Sequence, residues 1–455
     1  MRIAQDASES VDVAEAGVDK ATGDTWSARS GYLPVITGQL TYQRTFATEF
    51  DDLFGQPTAT GVTPPTGGTP TATPPTGTTT DTPTAPTATG TPTGGGSTFE
   101  LPFGQDNTWR VGLQIDQGIY GGGRASALNK ISRAGARAAD VALESARASV
   151  ALDTASAYFD AVLSDRLYEI ATGSLAQTEA TRAQTQLGQV VGRQPEFELL
   201  RAEVAVQNQQ VAVIQAKRQR DMAYQRLRQL LDLSAEEPVV LTSPLEDTTV
   251  AETAVQVAGA SPPDAIRAPV RQLVETAGIS DASIGVARAS GLPSLGASAS
   301  IGWVSYPAKV WPLGDGNDWY SSISGTVALS VPLFNGGRVW GELMKAKADA
   351  ASAHAQLDQT RELADLDARD ARAALDAASA QWAATEGAVE QARRAYEIAD
   401  LRFAEGVSTQ IELSDSRLQL ERALVNRAQA ARDLAVARTR IALLASLPLQ
   451  SGSSF

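Results

Sequence analysis

The 455-residue chain contains no cysteine and a single histidine, His354. Without thiols there is no disulfide framework, no thiolate zinc site and no cysteine nucleophile. A lone histidine with no cysteine beside it makes a metal centre unexpected, and no cofactor is expected either. Basic residues are also scarce: 38 Lys and Arg stand against 52 Asp and Glu, a formal net charge of −14. Surfaces that neutralise phosphate concentrate Lys and Arg, so no nucleic-acid partner is expected. No run approaches the roughly 18 consecutive apolar residues of a membrane-spanning helix. The opening MRIAQDASES has no apolar segment of the kind a signal peptide carries. Taken alone, these absences point to a soluble cytoplasmic protein. The rest of the sequence points elsewhere, and because the first helix starts abruptly at Met1, the native gene product is expected to begin upstream, with or without a lipid anchor.

The chain reads as two copies of one unit. ARSGYLP at 28–34 matches ARASGLP at 287–293, with Leu33 pairing Leu292 at an offset of 259. IYGGGR at 119–124 matches LFNGGR at 333–338, with Arg124 pairing Arg338 at an offset of 214. That second offset then holds without a gap, pairing Gly192 with Gly406, Glu198 with Glu412 and Leu230 with Leu444. The first copy therefore carries about 45 extra residues between its two anchors, and residues 57–96 supply nearly all of them. That stretch is almost entirely Pro, Thr, Gly and Ala, which cannot bury a core, so it is expected to be a disordered surface loop.

Each copy runs helix, strand, loop, strand and then two long helices. The strands, at about 35–46, 108–119, 294–306 and 319–333, alternate apolar and small polar residues. Ile36, Leu40 and Tyr42 share one face in the first, while Thr37, Gln39, Thr41 and Gln43 share the other. Such alternation suits either a half-buried sheet or the lipid and lumen faces of an outer-membrane strand. Four strands cannot close a barrel, and open edges are not tolerated in lipid, so membrane strands here would require several chains in one barrel. The helices, at about 124–191, 196–231, 338–405 and 409–446, are rich in Ala, Arg, Gln, Glu and Leu. Each pair breaks at a glycine, Gly192 or Gly406, as a helical hairpin does. Residues 1–231 thus form a first structural repeat, 232–285 an inter-repeat segment, 286–447 the strands and helices of the second repeat, and 448–455 a tail.

SGTVALSVPLFNGGRVWGELMKAKA (324–348), together with SARSGYLP, the duplication and the paired hairpins, resembles the TolC-like outer-membrane efflux protein family. The resemblance covers nearly the whole chain outside 57–96 and the tail. It implies a mixed α and β membrane protein, with four strands per protomer in a trimeric, twelve-stranded outer-membrane β-barrel. The long coiled-coil-like hairpins would form a periplasmic α-barrel, residues 232–285 part of an equatorial belt, and the Pro/Thr loop would face the exterior. Implied partners are two further copies, outer-membrane lipid, a periplasmic adaptor protein and an inner-membrane pump of the RND or ABC kind. The implied function is export of small molecules or proteins across the periplasm and outer membrane of a Gram-negative cell.

By the same resemblance, Glu412 and Asp415 match acidic positions that ring a closed periplasmic aperture. Glu198 sits at a matching acidic latch position in the first copy. Phe403 and Ser408 stand where some members carry a latching Tyr and Arg, and Arg193 offers a substitute donor. The tips Gly192, Arg193, Gly406 and Val407 match the region where members meet the adaptor.

Two motifs are declined. GIYGGGRAS (118–126) follows a strand and opens a helix, as a phosphate loop does, but lacks the GK[ST] ending and recurs in the second copy. Acidic residues are many, yet none is marked out as a general acid and base pair, so no enzyme is expected. The alternative to an export duct is a soluble coiled-coil scaffold, which the helical periodicity alone does not distinguish.

Overall fold

A computed structural model describes residues 1–46, 107–234, 237–245, 249–262, 265–307, 310 and 319–449. The elements run α1 (Arg2–Asp6), α2 (Glu9–Ser30), β1 (Val35–Arg44), β2 (Asn107–Gly121), α3 (Arg124–Val190), α4 (Glu196–Leu230), α5 (Thr249–Ala258), α6 (Ala268–Ala289), β3 (Ser294–Ser305), β4 (Trp319–Ser330), α7 (Arg338–Ala404) and α8 (Gln410–Leu443). They fall into a helical unit and a strand unit, and each sequence copy contributes to both. The Pro/Thr-rich stretch at 57–96 lies outside the described residues.

The duplication holds residue for residue in the long helices. Helices α3 and α7 are both 67 residues long and begin 214 residues apart, at Arg124 and Arg338. At 1.5 Å per residue each is about 100 Å long. Helices α2 and α6 are both 22 residues long, starting at Glu9 and Ala268. This equivalence places the start of the second copy at 268 rather than 286, because α6 is the counterpart of α2 and not part of a connecting segment. Chemistry sets the ends of several elements. Pro332 has no N–H to give, and β4 stops at Ser330 rather than 333. Thr409 caps α8, which therefore starts at Gln410 rather than 409.

A left-handed Gly pair opens each long helix: Gly122 and Gly123 have φ of 62° and 87°, and Gly336 and Gly337 have 63° and 82°. A Cβ on Gly122 would lie 2.8 Å from Leu292 Cβ and 2.9 Å from the Ala289 carbonyl, so a glycine is required there by space as well as by φ. The declined phosphate-loop motif is thus the turn that delivers the chain into α3.

Alanine dominates the core of the helical unit. Ala148, Ala151, Ala155 and Ala161 on α3 are buried, as are Ala430, Ala431 and Ala435 on α8. Small side chains let the helix backbones approach closely, and Phe159 and Leu443 fill the space left. Ionic contacts supplement this thin apolar seam. On α3, Asp165 accepts from Arg220 Nε at 2.5 Å and from the Tyr224 hydroxyl at 2.6 Å, fastening α4. Arg432 Nε donates to Asp160 Oδ1 at 2.8 Å, fastening α8 to α3. Asp367 on α7 takes Arg267 on one oxygen and Arg440 on the other, each at 2.8 Å.

Glu144 on α3 gathers a second cluster. Both carboxylate oxygens meet Arg271 Nη2 at 2.8 Å, Ser261 Oγ lies 2.8 Å from Oε1, and the Ser446 hydroxyl closes on the same oxygen. Burial pushes this carboxyl upward, but the hydrogen bonds from Ser446, Ser261 and Arg271 outweigh it and hold the pKa below its ordinary value.

In the strand unit the order is β1-β2-β3-β4. β1 and β2 are antiparallel, with Ile36 opposite Ile115, Leu40 opposite Val111 and Tyr42 opposite Trp109. The polar positions also pair, Thr37 with Gln114 and Gln43 with Thr108. Apolar and polar residues thus keep to separate faces across the strands. Between β3 and β4 the Ser300 and Ser324 hydroxyls lie 2.8 Å apart on the polar side. The apolar side is uncovered: Ile36, Leu40, Ile323 and Val327 are 65%, 67%, 79% and 71% exposed.

Candidate functional site

The two hairpin turns, α3–α4 and α7–α8, carry every residue that the sequence singled out. They are built alike. At the first, Gly192 has φ 76°, its N–H donates to the Gln189 carbonyl at 2.9 Å, and Arg193 N–H donates to Gly188 O at 2.8 Å. At the second, Gly406 has φ 77°, its N–H donates to Phe403 O at 3.0 Å, and Val407 N–H donates to Arg402 O at 2.9 Å. Both are Schellman closures, in which a left-handed residue turns two N–H groups back onto the last helical carbonyls. Gly192, Arg193, Gly406 and Val407 are all exposed.

Beyond the turns the two hairpins differ. The first copy continues Pro195-Glu196-Phe197-Glu198 and has no side-chain cap. The second continues Thr409-Gln410-Ile411-Glu412, and Thr409 Oγ1 accepts from the Glu412 N–H at 3.4 Å. This is the first half of a capping box. Glu412 also accepts from Arg402 Nη1 at 2.9 Å, across the turn from the last stretch of α7.

Gln410 is 4% exposed. With its amide nitrogen turned toward α4, it donates to the Glu198 carbonyl at 3.0 Å and to Glu198 Oε2 at 2.6 Å. The two hairpins are therefore joined at their first turns by an amide on one and a carboxylate on the other. Behind this contact Phe403 packs with Ala399, Leu413 and Tyr396. Arg417 lies deeper, where burial lowers its pKa and its Nε meets no acceptor among the described residues.

Of the residues nominated from sequence, Glu412, Asp415 and the four turn positions are exposed, and Glu198 is half-buried. Phe403 is buried within its own hairpin. Arg193 makes no ion pair among the described residues; the group that reaches Glu198 is Gln410. Sequence reasoning missed Gln410 and Arg402. The T-x-x-E spacing of Thr409 and Glu412 was available as a signal for the cap, but nothing in the pattern marked the two contacts that cross the turn or the hairpins. Among the described residues no helix is long and apolar enough to cross a membrane, and no group of three or more His, Asp or Glu is placed to hold a metal ion.

The sequence matches the outer membrane efflux protein family over residues 94–232 and 279–446. The chain belongs to this family. The matched segments cover the strand–glycine–helix passages and both hairpins of the two copies. No sequence relative was found among curated proteins. Solved structures show the same fold at low identity. The Campylobacter jejuni CmeC outer membrane channel is 17% identical with a TM-score of 0.70, covering 100% of this chain and 86% of that one. The Vibrio cholerae outer membrane protein VceC is 19% identical with a TM-score of 0.69, covering 98% and 94%. The open state of the Neisseria gonorrhoeae MtrE outer membrane channel is 18% identical with a TM-score of 0.69, covering 99% and 89%.

As a member of the outer membrane efflux protein family, the chain is an outer-membrane efflux channel protein. Nothing in these likenesses favours a free-standing coiled-coil scaffold.

Proposed function

We propose that the chain is one protomer of a homotrimeric export duct, serving a tripartite pump or a type I secretion system. Its four strands would be one third of a twelve-stranded barrel, and its hairpins one third of a periplasmic helical tunnel. One observation carries this reading: among the described residues, the edge strands β1 and β4 of the four-stranded sheet have no further partner and its apolar face is left uncovered. Lipid accepts such a face, but it does not accept unpaired strand edges. Only copies of the same sheet, edge to edge, satisfy both. The polar face of Thr, Gln and Ser would then line a wet lumen.

The hairpin turns are the periplasmic aperture in this reading. Glu412 and Asp415 from three copies place six carboxylates at its rim, with Glu198 tied to Gln410 behind them and Phe403 stiffening the hairpin from inside. A carboxylate ring favours cations. The exposed turns at Gly192, Arg193, Gly406 and Val407 receive a periplasmic adaptor, which links the duct to an inner-membrane pump of the RND or ABC kind. Engagement there loosens the contacts between hairpins and opens the tip.

The test is assembly and conductance together. Protein extracted from outer membranes in mild detergent is weighed by native mass spectrometry and inserted into planar bilayers. A mass of three chains with cation-selective conductance is expected; a single-chain mass with no conductance overturns the reading.

A further inference from the structure

The polar face of the sheet is almost free of charge. It carries Thr37 and Thr41 on β1, Ser298 and Ser300 on β3, and Ser322 and Ser324 on β4. Among the described residues of this face two side chains are charged, Arg110 and Asp116, both on β2. They sit toward opposite ends of the sheet. Arg110 is opposite Thr41, near the end where β1 and β2 are joined through 45–106. Asp116 is opposite Val35, near the end from which α3 follows. The rise of a strand puts the two about 20 Å apart.

Both charges are exposed, and both are held by neutral groups. Arg110 Nη1 donates to Gln43 Oε1 at 3.1 Å, and Gln114 Nε2 donates to each Asp116 oxygen at 3.0 Å. Among the described residues no carboxylate pairs with Arg110 and no cation with Asp116. Such partners fix where a charge sits without cancelling it. Arg44 does not add to Arg110, since it ends β1 on the apolar face and lies over the Phe46 ring. Arg110 is not part of a basic region either. The connecting stretches at its end of the sheet, 47–106 and 308–318, carry acids and a single basic residue, Lys309.

We infer that Arg110, repeated in each copy, forms a positive collar near the outer end of the barrel lumen, the one inward cation on a path that is otherwise neutral or acidic. With Asp116 it divides the lumen: the outer part gathers small anions and the inner part cations. Rings of like charge select ions in this way wherever the pore is not wide against the screening length. Twelve strands about 4.8 Å apart and tilted by about 40° enclose a lumen about 24 Å across. Charges on its wall reach the axis when the Debye length is about 30 Å, in 0.01 M salt, and are lost when it is about 3 Å, in 1 M salt. The collar therefore limits the cation preference of the duct in dilute salt and vanishes in concentrated salt.

This inference rests on the proposed trimeric barrel, and the experiment separates the two. Full-length protein is inserted into planar bilayers from one side, and reversal potentials are read in potassium chloride gradients. Arg110→Gln is expected to raise the cation-to-anion permeability ratio several-fold when the dilute solution bathes the outer end, and to do little when the gradient is turned round. Asp116→Asn is expected to lower the ratio, with the opposite dependence on the gradient. Because the chain has no cysteine, Arg110→Cys allows the charge to be written back. A cationic methanethiosulfonate is expected to restore wild-type selectivity, and an anionic one to push it further toward cations. Loss of side-chain structure alone would not follow the sign of the reagent. Ile323→Cys, on the apolar face, is expected to be untouched by either reagent, and its modification would overturn the assignment of faces. Trimeric channels whose selectivity ignores the charge at 110 would overturn the collar alone. Single chains with no conductance would overturn the barrel and the collar with it.

Discussion

With its amide nitrogen turned toward α4, the Gln410 side chain places that nitrogen 2.6 Å from Glu198 Oε2 and joins the first turns of α8 and α4. A hydrogen bond to a charged acceptor contributes about 1.5–3 kcal/mol. Gln410→Ala removes it and leaves the Glu198 carboxylate without its buried donor. The expected outcome is a larger single-channel conductance and greater sensitivity of the host cell to bulky antibiotics, with the amount of protein in the membrane unchanged. Wild-type conductance in this variant would show that other contacts hold the tip.

Arg402 and Glu412 form an ion pair whose side chains are 49% and 43% exposed. Pairs this wet stabilise by only about 0–1 kcal/mol. Arg402→Ala is therefore expected to leave thermal unfolding unchanged while uncovering the Glu412 carboxylate. In a potassium chloride gradient its reversal potential shifts toward cation selectivity. Glu412→Ala with Asp415→Ala shifts it the opposite way. Two shifts of the same sign would remove the carboxylates from the permeation path.

The second variant could be written down from sequence alone; the first could not. Residues repeating at 214 positions exposed the duplication, and Gly192 with Gly406 exposed the hairpin turns, because local backbone chemistry leaves a local signature. Period-two alternation exposed the strands for the same reason, and the order of elements comes with it. Arg402 and Glu412 are ten positions apart, and Gln410 and Glu198 more than two hundred. Whether such residues meet depends on how α3, α4, α7 and α8 pack, which propensity and spacing do not encode. Arg193 was a plausible donor by charge alone. Within the chain, packing brings a neutral amide to Glu198, since Gln410 is the residue that α8 turns toward α4. The boundary at 268 was missed because α6 and α2 share length and position but little sequence.

Asp367 is the shared acceptor of two arginines, Arg267 and Arg440, and its side chain is 14% exposed. Removing one partner of a buried ionic cluster typically costs about 3–5 kcal/mol, because the remaining charges lose compensation. Asp367→Ala is expected to lower the thermal unfolding midpoint of the detergent-solubilised protein and reduce its yield. Arg267→Met with Asp367→Leu, which removes the inner pair together, is expected to recover part of the loss. A midpoint within a degree of wild type for Asp367→Ala would show that water already screens the cluster.

Glu144 has a pKa held below its ordinary value, with hydrogen bonds from Ser446, Ser261 and Arg271 prevailing over burial. A carboxyl whose folded pKa is depressed stabilises the fold fully above its unfolded pKa, and loses that contribution as pH falls through the folded value. Acid therefore loosens the junction of α3, α6 and the end of α8 in the window below the ordinary carboxylate range. Glu144→Gln, already neutral, is expected to be less stable than wild type at neutral pH and to show a flatter decline in acid. Parallel stability curves for the two proteins across that window would exclude the linkage.

Gly192 and Gly406 adopt φ of 76° and 77°, which costs most L-residues about 1–2 kcal/mol. No side chain or backbone atom stands within 4 Å of a Cβ built at either position, so the cost is conformational and not steric. Asn tolerates the left-handed region better than Ala. Gly406→Ala is therefore expected to lose more thermal stability than Gly406→Asn, and to weaken co-purification of a periplasmic adaptor more. The same order is expected at Gly192. Equal losses for Ala and Asn would mean that the exposed glycine surface itself, and not the shape of the turn, is what matters.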